Sequence, residues 1–406
     1  MTVRWKQNFT VPAIFLAAVI LQLLFLAALP QSFSYNHSRD FAEYYNPAAQ
    51  NLIEGKGLVT DSGQFLTLYP AGFPLFLAAT YRVADLLGAD RLHAVTVANV
   101  LCMAAGCVLV FCMARKIFGE RTGLISAALW ITYFFDLWLV KQPNSEIPFI
   151  PLFYGAVFCF ILSLLNQCAK WAAISGLLLG CAAVVRPIVL FLPGVFGLFF
   201  LLRRAMTWKR RALLASALIA AFVLAVSPWE WEVYQHLGKV VPLSTNGPAS
   251  ILDGVTFTRR PGDYAVPAAA ADLMQRMSTN LRDLQTTGRI FHYLADELRE
   301  NPLAVLELYA LKIARAWYGT ESGAHETEVA ALQFTYRLWC AAGLVVVWRR
   351  FPEQRYFLAL FLTLVFYFWG MAVVALSILR YTAPVMAFLL IPLAAALDSK
   401  FTKRES

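Results

Sequence analysis

Apolar residues in this chain come in blocks of about twenty, separated by short polar connections. Twenty residues of helix at 1.5 Å per residue cross the hydrocarbon core of a bilayer, so each block predicts a membrane span. The blocks fall at 10–29, 92–114, 122–140, 147–166, 171–185, 188–203, 211–229, 331–348, 356–377 and 381–397. Arg186-Pro187 breaks the run over 171–203 and reads as a tight turn between two short spans, with a kinked or re-entrant pair as the other reading. Residues 71–88 are apolar on one side but carry Arg82 and Asp85, which predicts an amphipathic helix in the membrane interface. The expected fold class is all-α integral membrane, with about ten transmembrane helices.

Composition agrees with this pattern. Of the 406 residues 59% are hydrophobic and 15% charged, against about a quarter charged in soluble domains. The seven cysteines lie in or beside apolar blocks, lack metal-type spacing and read as small apolar residues rather than a disulfide framework. Basic residues set the orientation. With the N-terminus inside, the inner connections hold Arg4 and Lys6; Arg115, Lys116 and Arg121; Lys170; Arg203, Arg204, Lys209, Arg210 and Arg211; Arg349, Arg350 and Arg355; and Lys400, Lys403 and Arg404. That is half of all Lys and Arg, and it predicts both termini on the cytoplasmic side. The net charge of +9 follows from the same rule and does not argue for a nucleic-acid partner.

Two long segments then fall outside: a first loop, 30–91, and a second of about a hundred residues, 230–330, which carries a helical pattern around 269–318. The expected organisation is an N-terminal membrane module, 1–229, then the outer segment 230–330, then C-terminal spans, 331–406. In the first loop Asp40, Glu43 and Tyr44 are three and four apart, so a helix would put them on one face. Asp40 and Glu43 there either cap and solvate a surface helix or carry chemistry. Arg186 and Arg380 interrupt apolar sequence at the outer ends of spans, where a charge is costly and usually has a partner or a role. Snorkelling to the headgroups is the alternative for both, and for Lys141. Glu146 opens a span and is either a helix-dipole acid or a ligand of acceptor or metal. His37, near Asp40, is a candidate metal ligand or a solvated loop histidine. Tyr44, Tyr45, Trp229, Trp231, Tyr234, Trp317 and Tyr318 read as an interfacial belt, with stacking on sugar as the other reading.

A succession of short patterns resembles the GT-C membrane glycosyltransferases, in particular the bacterial protein O-mannosyltransferases and aminoarabinose (lipid A) transferases. It runs through Asp40, Tyr44, Ala49, Asn51, Leu52, Gly55, Gly57, Tyr69, Pro70, Gly72, Phe73, Pro74 and Leu75. Asn144-Ser145-Glu146, Arg186-Pro187, Pro228-Trp229, Pro242-Leu243-Ser244-Thr245-Asn246-Gly247 and Arg380-Tyr381 with Pro384 continue it in order. The chain departs from these relatives, which often have Arg-Asn a few residues after Pro-Trp, in reading Pro228-Trp229-Glu230-Trp231-Glu232-Val233-Tyr234 there, and in having Phe41 where a second acid often follows the first-loop Asp.

The resemblance implies a GT-C fold, with juxtamembrane helices in the first outer loop and a long outer loop before the last three spans. It implies inverting transfer of a sugar from a polyprenyl-phosphate donor to a lipid, glycan or protein acceptor on the outer face of a bacterial cytoplasmic membrane. Asp40 is then the expected catalytic carboxylate. Arg186, Arg380 and Lys141 are candidates for the donor phosphate, and Glu43, Glu146 and His37 for acceptor or metal. Tyr44, Tyr69 and Tyr381 would line the substrate, and a divalent cation remains an open cofactor. The competing classes are a flippase or transporter of lipid-linked sugar and a non-catalytic subunit of a polysaccharide assembly complex. A transporter is expected to show internal repeats, and none is visible.

Overall fold

In a computed structural model, residues 3–30, 38–256 and 266–402 are described, and helices dominate them. They are α1 (Val3–Ala28), α2 (Asn46–Ile53), α3 (Gly72–Leu87), α4 (Arg91–Phe118), α5 (Glu120–Ile131), α6 (Phe134–Val140), α7 (Glu146–Asn166), α8 (Ala169–Val185) and α9 (Leu192–Leu202). After them come α10 (Trp208–Leu237), α11 (Gly247–Thr256), α12 (Ala268–Thr279), α13 (Thr287–Glu300), α14 (Pro302–Arg315), α15 (Glu326–Arg350), α16 (Arg355–Val374), α17 (Leu379–Thr382) and α18 (Met386–Thr402). Among the described residues seven helices are long and apolar enough to cross a membrane, and the bent pair α5–α6 makes an eighth. This is a multi-pass membrane protein.

The predicted span at 122–140 is not one straight helix. The chain bends by 58° between α5 and α6. Thr132 Oγ bonds back to the Ala128 carbonyl at 2.7 Å and Tyr133 leaves the helical region, which together end α5. The break at Arg186 is present: Arg186 is extended, and a 3₁₀ turn, Pro187–Val189, precedes α9. α8 and α9 rise about 25 and 16 Å, so each is short for a lone crossing of a core about 30 Å thick. Residues 71–88 form the expected helix, α3, which turns Phe73, Leu77, Tyr81 and Ala84 inward.

The chain divides into two compact units, Met1–Ser244 and Thr245–Ser406. In the first, α8 packs against both α7 and α10, and α4 packs against α5, α7 and α1. The α8–α10 crossing depends on Gly176 and Gly180, four residues apart. A Cβ on Gly176 would lie 2.0 Å from the Leu218 carbonyl oxygen, and one on Gly180 would lie 2.5 Å from Ala225 Cβ. Small residues at this spacing let helix backbones meet where lipid supplies no hydrophobic drive. In the second unit α15 and α16 pack on α18, and a separate apolar core forms among α11–α14 from Leu273, Met274, Met277, Ile290, Leu294 and Leu308.

Candidate active site

The first loop begins its helix at Ser38. Its Oγ accepts the Phe41 amide at 3.2 Å and its carbonyl accepts the Ala42 amide, an N-cap that starts the helix one residue before Asp40. Residues Phe41–Tyr45 then form a single π-helical turn, a wide turn that recurs at functional sites. The turn is pinned from one side. Phe41 and Tyr45 are buried, and Tyr45 packs on Tyr69 at 4.7 Å and edge-on to Phe73 at 4.9 Å between ring centres. Asp40, half-buried, sits in the first turn, where the helix dipole favours a carboxylate. Glu43 is turned outward into an ion pair with Arg39 at 2.7 Å. Tyr44 meets Tyr69 edge-on at 5.5 Å, which brings two of the expected lining residues together.

Many of the patterned residues around this turn are scaffold. Asn51 Nδ2 donates to the Val59 and Thr60 carbonyls and closes the loop in which Gly55 and Gly57 take φ of +79° and +86°. Asn46 Oδ1 accepts the Tyr81 hydroxyl at 2.9 Å, which ties α2 to α3. Gly72 is a contact point: a Cβ there would stand 2.6 Å from the Val184 carbonyl oxygen of α8. Farther on, the Trp229 indole donates to the Leu243 carbonyl at 2.7 Å and Glu230 Oε1 accepts the Leu243 amide at 2.5 Å. Leu243 has φ +62°, so Pro228-Trp229 and Pro242-Leu243 are two halves of one backbone clamp, in which Glu230 has a structural partner.

Asn144-Ser145-Glu146 and Arg186 meet in space. Asn144 Nδ2 donates to the Leu139 and Gln142 carbonyls and its Oδ1 accepts the Ile147 amide, which builds the turn before α7. That turn presents Ser145 Oγ to Arg186 Nη1 at 2.9 Å and Glu146 Oε1 to the same nitrogen at 2.6 Å. Glu146 is 1% exposed. Sequence reading treats these two residues separately, as acid and phosphate ligand, and the structure joins them in one buried ion pair. Lys141 lies over the Trp138 ring at 3.8 Å, a cation–π contact.

Sequence reading passed over Asp136 in α6, which is buried with no hydrogen-bond partner on either carboxylate oxygen among the described residues. An acid inside the run Phe134–Val140 was a signal of the same kind as Arg186. His37 lies outside the described residues, and among those described no three of His, Cys, Asp and Glu gather at metal-binding distance.

In the second unit Arg380 opens α17, 3.2 Å from Glu321 and over the Tyr381 ring at 5.7 Å. The backbone beneath it is held by residues absent from the sequence reading. Buried Arg315 forms a two-nitrogen ion pair with buried Glu326, at 2.5 Å from Nη2, and donates to the Thr320 and Ser377 carbonyls. Leu379 N donates to the Gly319 carbonyl at 2.8 Å, and Thr382 Oγ to the Ala316 carbonyl at 2.7 Å. The Arg380–Tyr381 step is thereby fastened to the α14–α15 connection at several points. Lys312, 1% exposed, donates to the Ala375 carbonyl at 2.8 Å, and burial, with the Arg315 charge second, pulls its ammonium down to about 7.

Residues 70–231 match the dolichyl-phosphate-mannose-protein mannosyltransferase family. No curated protein matches the chain. Among solved structures, the Archaeoglobus fulgidus oligosaccharyltransferase AglB in complex with an inhibitory peptide and dolichol-phosphate is similar over 98% of this chain, with a TM-score of 0.60 and 12% identity. An Archaeoglobus fulgidus oligosaccharyltransferase tethered to an acceptor peptide with the NVT sequon gives 0.62 and 13%, again over 98%. ArnT from Cupriavidus metallidurans bound to undecaprenyl phosphate gives 0.47 and 12% over the whole chain and 79% of its own. This chain spans about half the length of these two archaeal chains, 51% and 50%. With a family match over residues 70–231, within the first unit, and a likeness in fold over almost all of the chain, this protein has the GT-C glycosyltransferase fold.

Proposed function

We propose that this protein is an inverting glycosyltransferase that takes a sugar from a polyprenyl-phosphate donor at the membrane surface. The acceptor is a hydroxyl or amine of a lipid, glycan or protein. The observation that carries this reading is the placement of Asp40 in the first turn of a capped helix, fixed by the buried rings of Phe41 and Tyr45, within a GT-C fold. AglB, which shares that fold, has been captured with dolichol-phosphate, and a lipid-linked phosphate suits the chemistry that these residues offer.

Phosphate is a good leaving group, so breaking its bond to the anomeric carbon needs little acid help, unlike the alkoxide departure in a glycosidase. One carboxylate suffices. Asp40 accepts the proton of the acceptor hydroxyl or amine as that atom bonds to the anomeric carbon. The electron pair of the broken C–O bond leaves with polyprenyl phosphate, and a single displacement inverts the anomeric configuration. Arg186 is the proposed phosphate contact, its planar fork suited to two oxygens, with Glu146 and Ser145 setting its orientation. Arg380 is proposed as an anion contact of the second unit, and the active face as extracytoplasmic, following the distribution of Lys and Arg.

Native mass spectrometry of the protein extracted in mild detergent tests this. Bound polyprenyl phosphate, or its sugar-linked form, is expected on the wild type and at reduced occupancy on Arg186→Lys and Arg380→Ala. No bound lipid phosphate, even after polyprenyl phosphate is added, would overturn the assignment and favour an assembly subunit.

A further inference from the structure

α14 is turned inside out for a helix outside the membrane-crossing set. Each of its charges faces inward. Lys312 and Arg315 are buried on the Ala375 carbonyl and on Glu326, and half-buried Glu307 accepts the Ala270 amide at 3.3 Å. An apolar stripe faces outward: Leu303 is 58% and Leu306 63% exposed, and exposed Ala310 and Ile313 continue it at spacings of three, four and three. The buried face, Ala304, Val305 and Leu308, already belongs to the core shared with α12 and α13. Thus α14 presents two apolar faces, and only one is covered by protein. Neighbouring α13 differs, since Arg289, His292, Arg299 and Glu300 stand on its exposed side.

The far end of the stripe is fixed to a membrane span. The Trp369 indole of α16 donates to the Ile313 carbonyl at 2.9 Å, and Trp317, just past α14, meets the Trp369 ring at 5.8 Å. Trp369 lies five residues before the end of α16 at Val374, about 7.5 Å of helix rise, and tryptophan concentrates near the ends of spans. Phe366, on the outward side of α16, stacks on Trp369 and is 59% exposed. The outward stripe of α14 therefore runs into the exposed apolar side of a helix long and apolar enough to span a membrane.

We propose that α14 lies in the plane of the membrane surface, with Leu303, Leu306, Ala310 and Ile313 in contact with acyl chains. Its occupant is lipid because the stripe carries no charge, meets a lipid-facing span at its end and has its polar groups withdrawn to the opposite side, the reverse of what water selects. The contact would hold the α14–α15 connection, and with it the segment bearing Arg380, at a fixed depth. It stands whether or not the protein transfers sugar.

Photolabelling of the wild-type protein in phospholipid nanodiscs tests the contact. The nanodiscs would carry a phosphatidylcholine with a diazirine in the acyl chain, and adducts would be mapped by peptide mass spectrometry. Adducts are expected on the Leu303–Ile313 peptide at yields comparable to the Phe366 peptide, and at least about tenfold above the Arg289–Arg299 peptide. A doubly substituted Leu303→Glu/Leu306→Glu protein is expected to lose the α14 adducts and keep those on α16. Adducts on α16 with none on α14 would overturn the proposal, whether a second copy, found as an intermolecular cross-link, or water then proved to cover the stripe.

Discussion

Replacing Arg186 with alanine leaves the Glu146 carboxylate buried, 1% exposed, without the guanidinium that stands 2.6 Å from it. The Arg186 side chain is itself only 12% exposed, so solvent screens the pair weakly. Removing one partner of a buried pair typically costs about 3–5 kcal/mol, because the remaining charge keeps its desolvation penalty. In a unit of this size about 1 kcal/mol moves the melting temperature by roughly 2–4 °C, so a fall of roughly 6–20 °C is expected. The assay is thermal unfolding in one detergent of the wild type, Arg186→Ala, Glu146→Gln and the double variant Glu146→Gln/Arg186→Ala. The double variant should recover much of the loss, since no uncompensated charge remains, and the thermodynamic cycle isolates the pair. Bound lipid phosphate, read on the same samples, should stay low in the double variant, because stability returns without the phosphate contact. A melting temperature for Arg186→Ala within about 1 °C of wild type, or a double variant no more stable than the single, would refute the reasoning.

Lys312→Met tests the buried ammonium of α14. A folded-state value near 7, against about 10.5 for an unfolded lysine, means that folding releases a proton between those limits. Stability then rises with pH from 7 to about 10.5, and the charged form is penalised fully below 7. The methionine variant should melt above wild type at pH 6–7, with the gap shrinking toward pH 10 as the wild type sheds the charge; a gap independent of pH would contradict this. Gly72→Ala should destabilise by about 1–3 kcal/mol, because a Cβ at 2.6 Å from the Val184 carbonyl forces α3 away from α8; an unchanged melting temperature would show that the two helices separate freely.

The spans were legible because hydropathy over twenty residues is a local property, and the break at Arg186-Pro187 was legible because proline bars the helical geometry of the residue before it. The spacing of Asp40, Glu43 and Tyr44 allowed a helix with all three on one face, but it did not encode the π-helical turn that turns Glu43 outward onto Arg39. The bend at Thr132 did not, since apolar residues continue through it and a hydroxyl bonding backward leaves no trace in hydropathy. Pairings were harder. Glu146 and Arg186 are 40 residues apart and Arg315 and Glu326 eleven, and nothing in either neighbourhood states that the side chains meet. α14 shows the limit clearly: its pattern is apolar on two faces, and only the packing of α12 and α13 reveals which face remains outside. Among the patterned residues of the first loop, the sequence could not separate Asn51 and Gly72, which build the scaffold, from Asp40, which the proposed reaction uses.

The central claim is that Asp40 takes the acceptor proton. The direct measurement is release of polyprenyl phosphate from a polyprenyl-phosphate-sugar donor, with native membranes as the source of acceptor, for wild type and Asp40→Asn. The isosteric amide keeps the helix start at Ser38 and the packing of Phe41 and Tyr45, so folding and lipid occupancy should match wild type. Turnover should fall by about 10²-fold or more, the scale of a lost general base. Asp40→Asn turning over at the wild-type rate with the same bound lipid would contradict the account.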